Sequence, residues 1–176
     1  MKRFLAIITM LLISSSLLLG GTSSTSELRK LFHTAVLDHK FIPSFVMYVD
    51  GIEDPTPIEL AYQAAALALQ AQEEWNPLEK YSYLKKFKRL ISKAIERDSN
   101  EIEIRFLRFG IEHHIPPFFG FSTDMEDDKA AIISTVSKIE RFEIDQYFSI
   151  YILTLLSDSG LCSDEEIELV RSKIQS

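Results

Sequence analysis

The chain has 176 residues, 46% of them hydrophobic and 26% charged, with six Gly and six Pro. Those proportions belong to one ordinary globular domain and exclude disorder and collagen-like repetition. Nineteen basic against 26 acidic side chains give a net charge of -7 and a pI near 5.1, so a phosphate backbone would repel the protein and no nucleic-acid partner is expected.

Lys2 and Arg3 precede an apolar run from Phe4 to Leu19, broken only by Thr9 and Ser14 to Ser16, and Gly20, Gly21, Thr22 and Ser23 follow. This is the layout of a secretory signal, with cleavage expected between Gly20 and Ser24. The run falls short of the ~20 residues of a spanning helix. An uncleaved membrane anchor is the alternative, because the small residues are Gly and Ser and not Ala-x-Ala. No cysteine follows the run, so lipoprotein acylation is excluded. Residues 1–21 read as a signal peptide and 22–176 as one helical domain working outside the cytoplasm. Cys162 is the only cysteine, so that domain must be stabilised by its core and not by an internal disulfide.

At six candidate helix starts a Ser, Thr or Asn is followed three positions later by Glu, the reciprocal cap that satisfies orphan N–H groups. They are Ser24/Glu27, Thr56/Glu59, Asn76/Glu79, Asn100/Glu103, Thr123/Glu126 and Ser163/Glu166. Pro57 and Pro77 also occupy first helical positions, where a missing N–H costs nothing. Residues 27–38 and 41–49 are expected to give one helix and a less regular connection through Asp50-Gly51. From Ile58 to Trp75, Ile58, Tyr62, Ala65 and Leu69 make a stripe whose interleaved alanines allow a close neighbour. From Leu78 to Arg97, Leu84, Phe87, Leu90, Ile91, Ala94 and Ile95 face inward. On the other side Lys85, Lys86, Lys88, Arg89, Lys93 and Arg97 form a basic stripe suited to solvent, lipid headgroups or an acidic partner.

Glu101-Ile-Glu-Ile-Arg-Phe106 alternates strictly and would pass for a strand. The Asn100/Glu103 cap and the four-residue ion pairs Glu101/Arg105 and Arg108/Glu112 favour a helix instead. Its apolar residues then occupy two faces, Ile102/Phe106/Phe109 and Ile104/Leu107/Ile111, as a central helix gripped from both sides requires. Beyond the loop around Pro116 to Ser122, Ile132, Ile133, Val136 and Ile139 mark one helix, and Ile144, Tyr147, Phe148, Tyr151 and Leu155 another. These two could equally be one kinked helix. Ser163 opens a short last helix bearing Ile167, Val170 and Ile174.

Phe87-x3-Ile91-x2-Ala94, followed by Ile95-Glu-Arg-Asp98-Ser99-Asn100 and a new helix, is similar to the second helix of a tetratricopeptide repeat and its exit turn. That resemblance covers residues 57–115 and implies a helical hairpin inside a single bundle, since no second copy appears at a period near thirty-four. Glu101 to Phe109, with Pro117-x-Phe119-Gly120-Phe121 and Asp127-Asp128-Lys129 behind it, also resembles a group of small exported bacterial proteins of uncharacterised function, which implies no activity.

Glu112-His113-His114 is the nearest approach to a metal cluster, but adjacent histidines diverge on a helix and no pair stands four apart. Acidic Asp124, Glu126 and Asp127 are explained by their helix-start position. Neither a Gly-x-Ser-x-Gly elbow nor a phosphate-cradling glycine loop is present, and Cys162 has no base near it in sequence. No cofactor and no catalytic residue is therefore expected. Ile115-Pro-Pro-Phe-Phe-Gly-Phe121 carries more apolar side chain than a connection needs: Phe118, Phe119 and Phe121 either fold back as a lid or stand beside His113 and His114 as an anchor. Arg105 and Arg108 either pair internally with Glu101 and Glu112 or form a fork for a carboxylate or phosphate.

The expected fold is all-α, a single bundle of about six or seven helices with the hairpin at 57–115 and a buried central helix near 101–114. The expected function is an exported, non-catalytic interaction module for an unknown protein or peptide partner. The alternative is a ligand binder or enzyme with a pocket at Arg105, Arg108, His113, His114 and the Phe118 to Phe121 loop, and a third is a structural protein tethered by residues 4–19.

Overall fold

Side-chain caps and proline placement decide where this chain begins to coil. A computed structural model describes residues 25–138 and 146–175. Among them are eight α-helices and no strand: α1 (Thr25–Leu37), α2 (Ile42–Asp50), α3 (Pro57–Glu73), α4 (Pro77–Arg97), α5 (Ile102–His114), α6 (Met125–Lys138), α7 (Gln146–Asp158) and α8 (Asp164–Gln175). At α3 the Thr56 hydroxyl accepts from Glu59 N–H while the Glu59 carboxylate accepts from Thr56 N–H, and Ser163 and Glu166 do the same ahead of α8. Asn76 caps α4 through Leu78 N–H, so Glu79 is not its reciprocal partner.

Two more of the expected caps are replaced. Glu101 caps α5 and Asp98 holds the preceding turn, leaving Glu103 to turn inward. α6 starts after Asp124, whose carbonyl takes the first helical bond, and Thr123 turns its hydroxyl to Lys88 instead of to Glu126. The Ser24/Glu27 pair includes a residue outside those described, as does the join between α6 and α7, where Ile139 and Ile144 lie. The count of eight exceeds the expected six or seven because residues 25–50 give two helices. Asp38 accepts from Lys40 N–H in a short 3₁₀ turn (His39–Phe41) and breaks them apart.

α5 is helical throughout, and its two apolar faces feed two separate cores. Ile104 and Leu107 join a core built by α1 to α4, with Leu28, Phe45, Tyr62, Ala65, Phe87 and Ile91 fully or almost fully buried. Phe106 and Phe109 join a second core with Ile132 and Val136 of α6, Phe148, Ile152 and Leu156 of α7 and Val170 of α8. Strict alternation over residues 101–106 thus reflects a helix packed on two apolar faces, and each fully buried Phe adds about 1.5–3 kcal/mol to a core. Gly110 on this helix lets α7 come close: a Cβ there would lie 2.8 Å from Tyr151 Oη and 2.9 Å from Leu155 Cδ2. Trp75 falls beyond the end of α3 and is exposed, not on its stripe. No helix among the described residues is long and apolar enough to cross a membrane.

Candidate functional site

Spacing along α5 places Arg105, Arg108 and Glu112 toward the start of α6 and the middle of α4. Arg108 grips the Asp128 carboxylate with both arms of its guanidinium, Nε to Oδ2 at 2.6 Å and Nη2 to Oδ1 at 2.7 Å. Arg105 Nη1 donates to the same Oδ1 at 3.0 Å, and Arg108 Nη1 stands 3.2 Å from Asp124 Oδ2. From α4, Lys88 Nζ bridges Glu112 Oε1, Asp124 Oδ2 at 2.5 Å and the carbonyl of Phe121 at 3.1 Å. Three cations therefore face three carboxylates, and both Asp128 and Glu112 have no exposed surface. The arginines do not pair along their own helix with Glu101 and Glu112, nor do they form an open fork. Asp128 fills the place an external carboxylate or phosphate would take.

Burial pushes the Glu112 carboxyl above the ordinary glutamate value, against the pull of Lys88. Burial works the same way on Asp124, but there Lys88 and Arg108 prevail and hold it below the ordinary aspartate value. Because Glu112 holds its proton more tightly folded than unfolded, its ionisation lowers stability as pH rises from the ordinary glutamate value through the raised folded one. Glu112→Gln is therefore expected to gain stability relative to the parent across that interval. Urea unfolding of both proteins at steps between about pH 4 and pH 7 checks this, and curves that stay parallel would contradict it.

A third buried carboxylate ties α5 to the amino-terminal side. Glu103, 3% exposed, accepts from Tyr62 Oη at 2.6 Å and from Arg29 Nε and Nη2 at 2.9 and 2.5 Å. The same guanidinium lies over the Phe148 ring of α7, 5.3 Å from its centroid.

Above this tie runs a trough. One recess of about 470 Å³ is bordered by Arg29, Lys30, Phe32, His33, Tyr62 and Phe148. A neighbouring recess of about 410 Å³ lies against Ala68, Leu84, Ile111, His114, Ile115 and Phe119. Phe32, Val36 and Tyr151 wall both, so the two mostly apolar recesses lie side by side between α1, α7 and the hairpin. Of the candidate binding residues Arg105, Arg108, His113, His114, Phe118, Phe119 and Phe121, only His114 and Phe119 reach them. His114 bonds the Gly110 carbonyl through Nδ1 at 2.7 Å, and His113 packs its ring edge-on against that of His114 without lining either recess. The three phenylalanines part company: Phe121 is buried against Tyr81, Phe119 is partly covered, and Phe118 is 82% exposed.

Phe32, Val36, Ala68, Leu84 and Tyr151 carry no local mark that separates a trough wall from a core position. The one available signal was Gly110, an unforced glycine inside a helix, which marks close approach of another element. Among the described residues no group of three His, Cys, Asp or Glu side chains is placed to hold a metal ion. His39 is paired with Glu73 at 2.8 Å. Burial, with Glu166 adding, pushes the Cys162 thiol up and away from the reactive thiolate. Comparison of the chain with protein families, with curated proteins and with solved structures returns no match.

Proposed function

We propose that the protein is an exported, non-catalytic helical interaction module that receives an apolar segment of a protein partner in the trough. The observation that supports this is the pair of adjacent recesses that share Phe32, Val36 and Tyr151 as walls, a shape that takes two apolar anchors of one amphipathic segment. The ionisable residues point the same way: Lys88, Arg105 and Arg108 are spent on Asp124, Asp128 and Glu112 and offer nothing to a substrate. The tetratricopeptide-like hairpin, here α3 and α4, suits such a role, and the apolar run after Lys2 and Arg3 supports export. A small-ligand reading draws on the polar end of the second recess, where Gln72, Lys80 and His114 meet an apolar wall.

A photo-crosslinking residue at Val36 in the exported chain is expected to yield a discrete protein adduct, and one at the exposed Ser134 of α6 none. Ala68→Trp, which fills the second recess, is expected to remove the adduct. Equal adducts from both positions, or an adduct indifferent to Ala68→Trp, would overturn the proposal. A co-purifying small mass displaced by Ala68→Trp would favour the ligand reading. The same preparation is expected to begin near residue 22.

A further inference from the structure

The largest exposed apolar side chains gather at one end of the hairpin. Trp75 is 90% exposed and Leu78 80% exposed, on either side of the turn made by Asn76 and Pro77. Tyr81 follows one helical turn later, half exposed, with its ring 5.4 Å from that of Phe121, and the exposed Phe118 stands three residues before Phe121. Nothing in the turn itself needs a tryptophan, since Asn76 supplies the cap and Pro77 the first helical residue.

From that end a basic face runs up α4. Leu78, Tyr81, Lys85, Arg89 and Lys93 recur at three- and four-residue spacing, so they share one side of the helix over about 22 Å. Lys86 flanks them, lying over the Tyr83 ring at 5.4 Å. α4 carries seven of the chain's 19 Lys and Arg but only two acids, Glu79 and Glu96. Lys80 is half-buried at the second recess, Lys88 is turned inward and Arg97 donates to the Pro55 carbonyl, which leaves Lys85, Lys86, Arg89 and Lys93 exposed and in no ion pair with a described residue. In a protein of net charge -7 this is a local reversal of sign.

We propose that the α3–α4 turn and the exposed face of α4 dock on an anionic lipid bilayer, with Trp75 and Leu78 entering the headgroup region and Lys85, Lys86, Arg89 and Lys93 lying over the lipid phosphates. An aromatic and aliphatic tip joined to a row of cations matches the interface, where indole rings settle at headgroup level and each nearby Lys or Arg adds electrostatic attraction. An acidic protein surface would meet the cations but has no reason to take a projecting Trp-Leu tip. The surface lies apart from the trough and does not rest on it. Nor does it need residues 4–19 in the membrane.

Trp75 is the chain's only tryptophan, so its emission reports this surface alone. With the full chain, vesicles of phosphatidylglycerol and phosphatidylcholine are expected to shift that emission to the blue and shield it from acrylamide, and vesicles of phosphatidylcholine alone are not. Removing exposed charges should weaken the effect about fivefold for each, so Lys85→Ala with Arg89→Ala should raise the vesicle concentration needed by roughly 25-fold. Leu78→Ser, also at an exposed position, should reduce the shift without altering its salt dependence. Four results would overturn the proposal: Trp75 staying open to acrylamide while the chain sediments with vesicles, as binding through residues 4–19 alone would give; an equal shift on neutral vesicles; indifference to the charge variants; or an equal shift on adding polyglutamate, which would assign the face to an acidic polypeptide.

Discussion

Asp128→Ala is expected to lower the free energy of unfolding by about 3–5 kcal/mol, the cost of breaking a buried ion pair by removing one partner. Asp128 has no exposed surface and receives three hydrogen bonds, two from Arg108 and one from Arg105. Among the described residues, truncation leaves Arg108, itself 8% exposed, with only the longer contact to Asp124, and leaves Arg105 with its bond to the Ser99 carbonyl alone. Equilibrium urea unfolding measures the loss. The double replacement Arg108→Met with Asp128→Leu should recover most of it, because removing both charges also removes their desolvation cost. A loss below about 1 kcal/mol for Asp128→Ala would mean that water reaches the cluster and that α6 is not held to α5 by charge.

Glu103→Ala is expected to have an effect of similar size, about 3 kcal/mol or more, but distributed differently. The carboxylate joins Tyr62 of α3 and Arg29 of α1 to α5, and Arg29 in turn covers Phe148 of α7. Loss of the acceptor removes one hydrogen bond from a buried phenol and two from the guanidinium that ties α1 to α5. Amide exchange should therefore rise first in α1, ahead of the helices around the second core. Tyr62→Phe, which deletes one neutral donor to the same carboxylate, should cost only about 1–2 kcal/mol and leave α1 exchange close to the parent. Arg29 and Tyr62 also border the first recess, so Glu103→Ala should weaken the crosslink from Val36 as well. Unchanged exchange in α1 would show that its apolar face, Leu28, Phe32 and Ala35, docks without the tie.

These two carboxylates show where reading a linear chain stops. Glu103 sits three residues after Asn100, and the capping pattern claims it for a helix start. The folded chain gives that start to Glu101 and Asp98 and uses Glu103 to bind Arg29, 74 positions away. Arg105 and Arg108 have acidic neighbours four residues off, yet their partner is Asp128 on the next helix. An exposed same-helix pair stabilises by only a few tenths of a kcal/mol, so a desolvated bidentate contact overrides it.

What local order dictated is most of the helices and which of their faces are apolar. Caps at Thr56 and Ser163, prolines at 57 and 77 and the two apolar stripes of residues 102–111 depend on contacts within one or two turns, which the spacing of residue types records directly. Which charge meets which, which lysine of α4 turns inward, and where two recesses come to share Phe32, Val36 and Tyr151 as walls depend on how whole helices settle against one another. Those choices are made by packing and desolvation between elements many residues apart, and no spacing within a single helix encodes them.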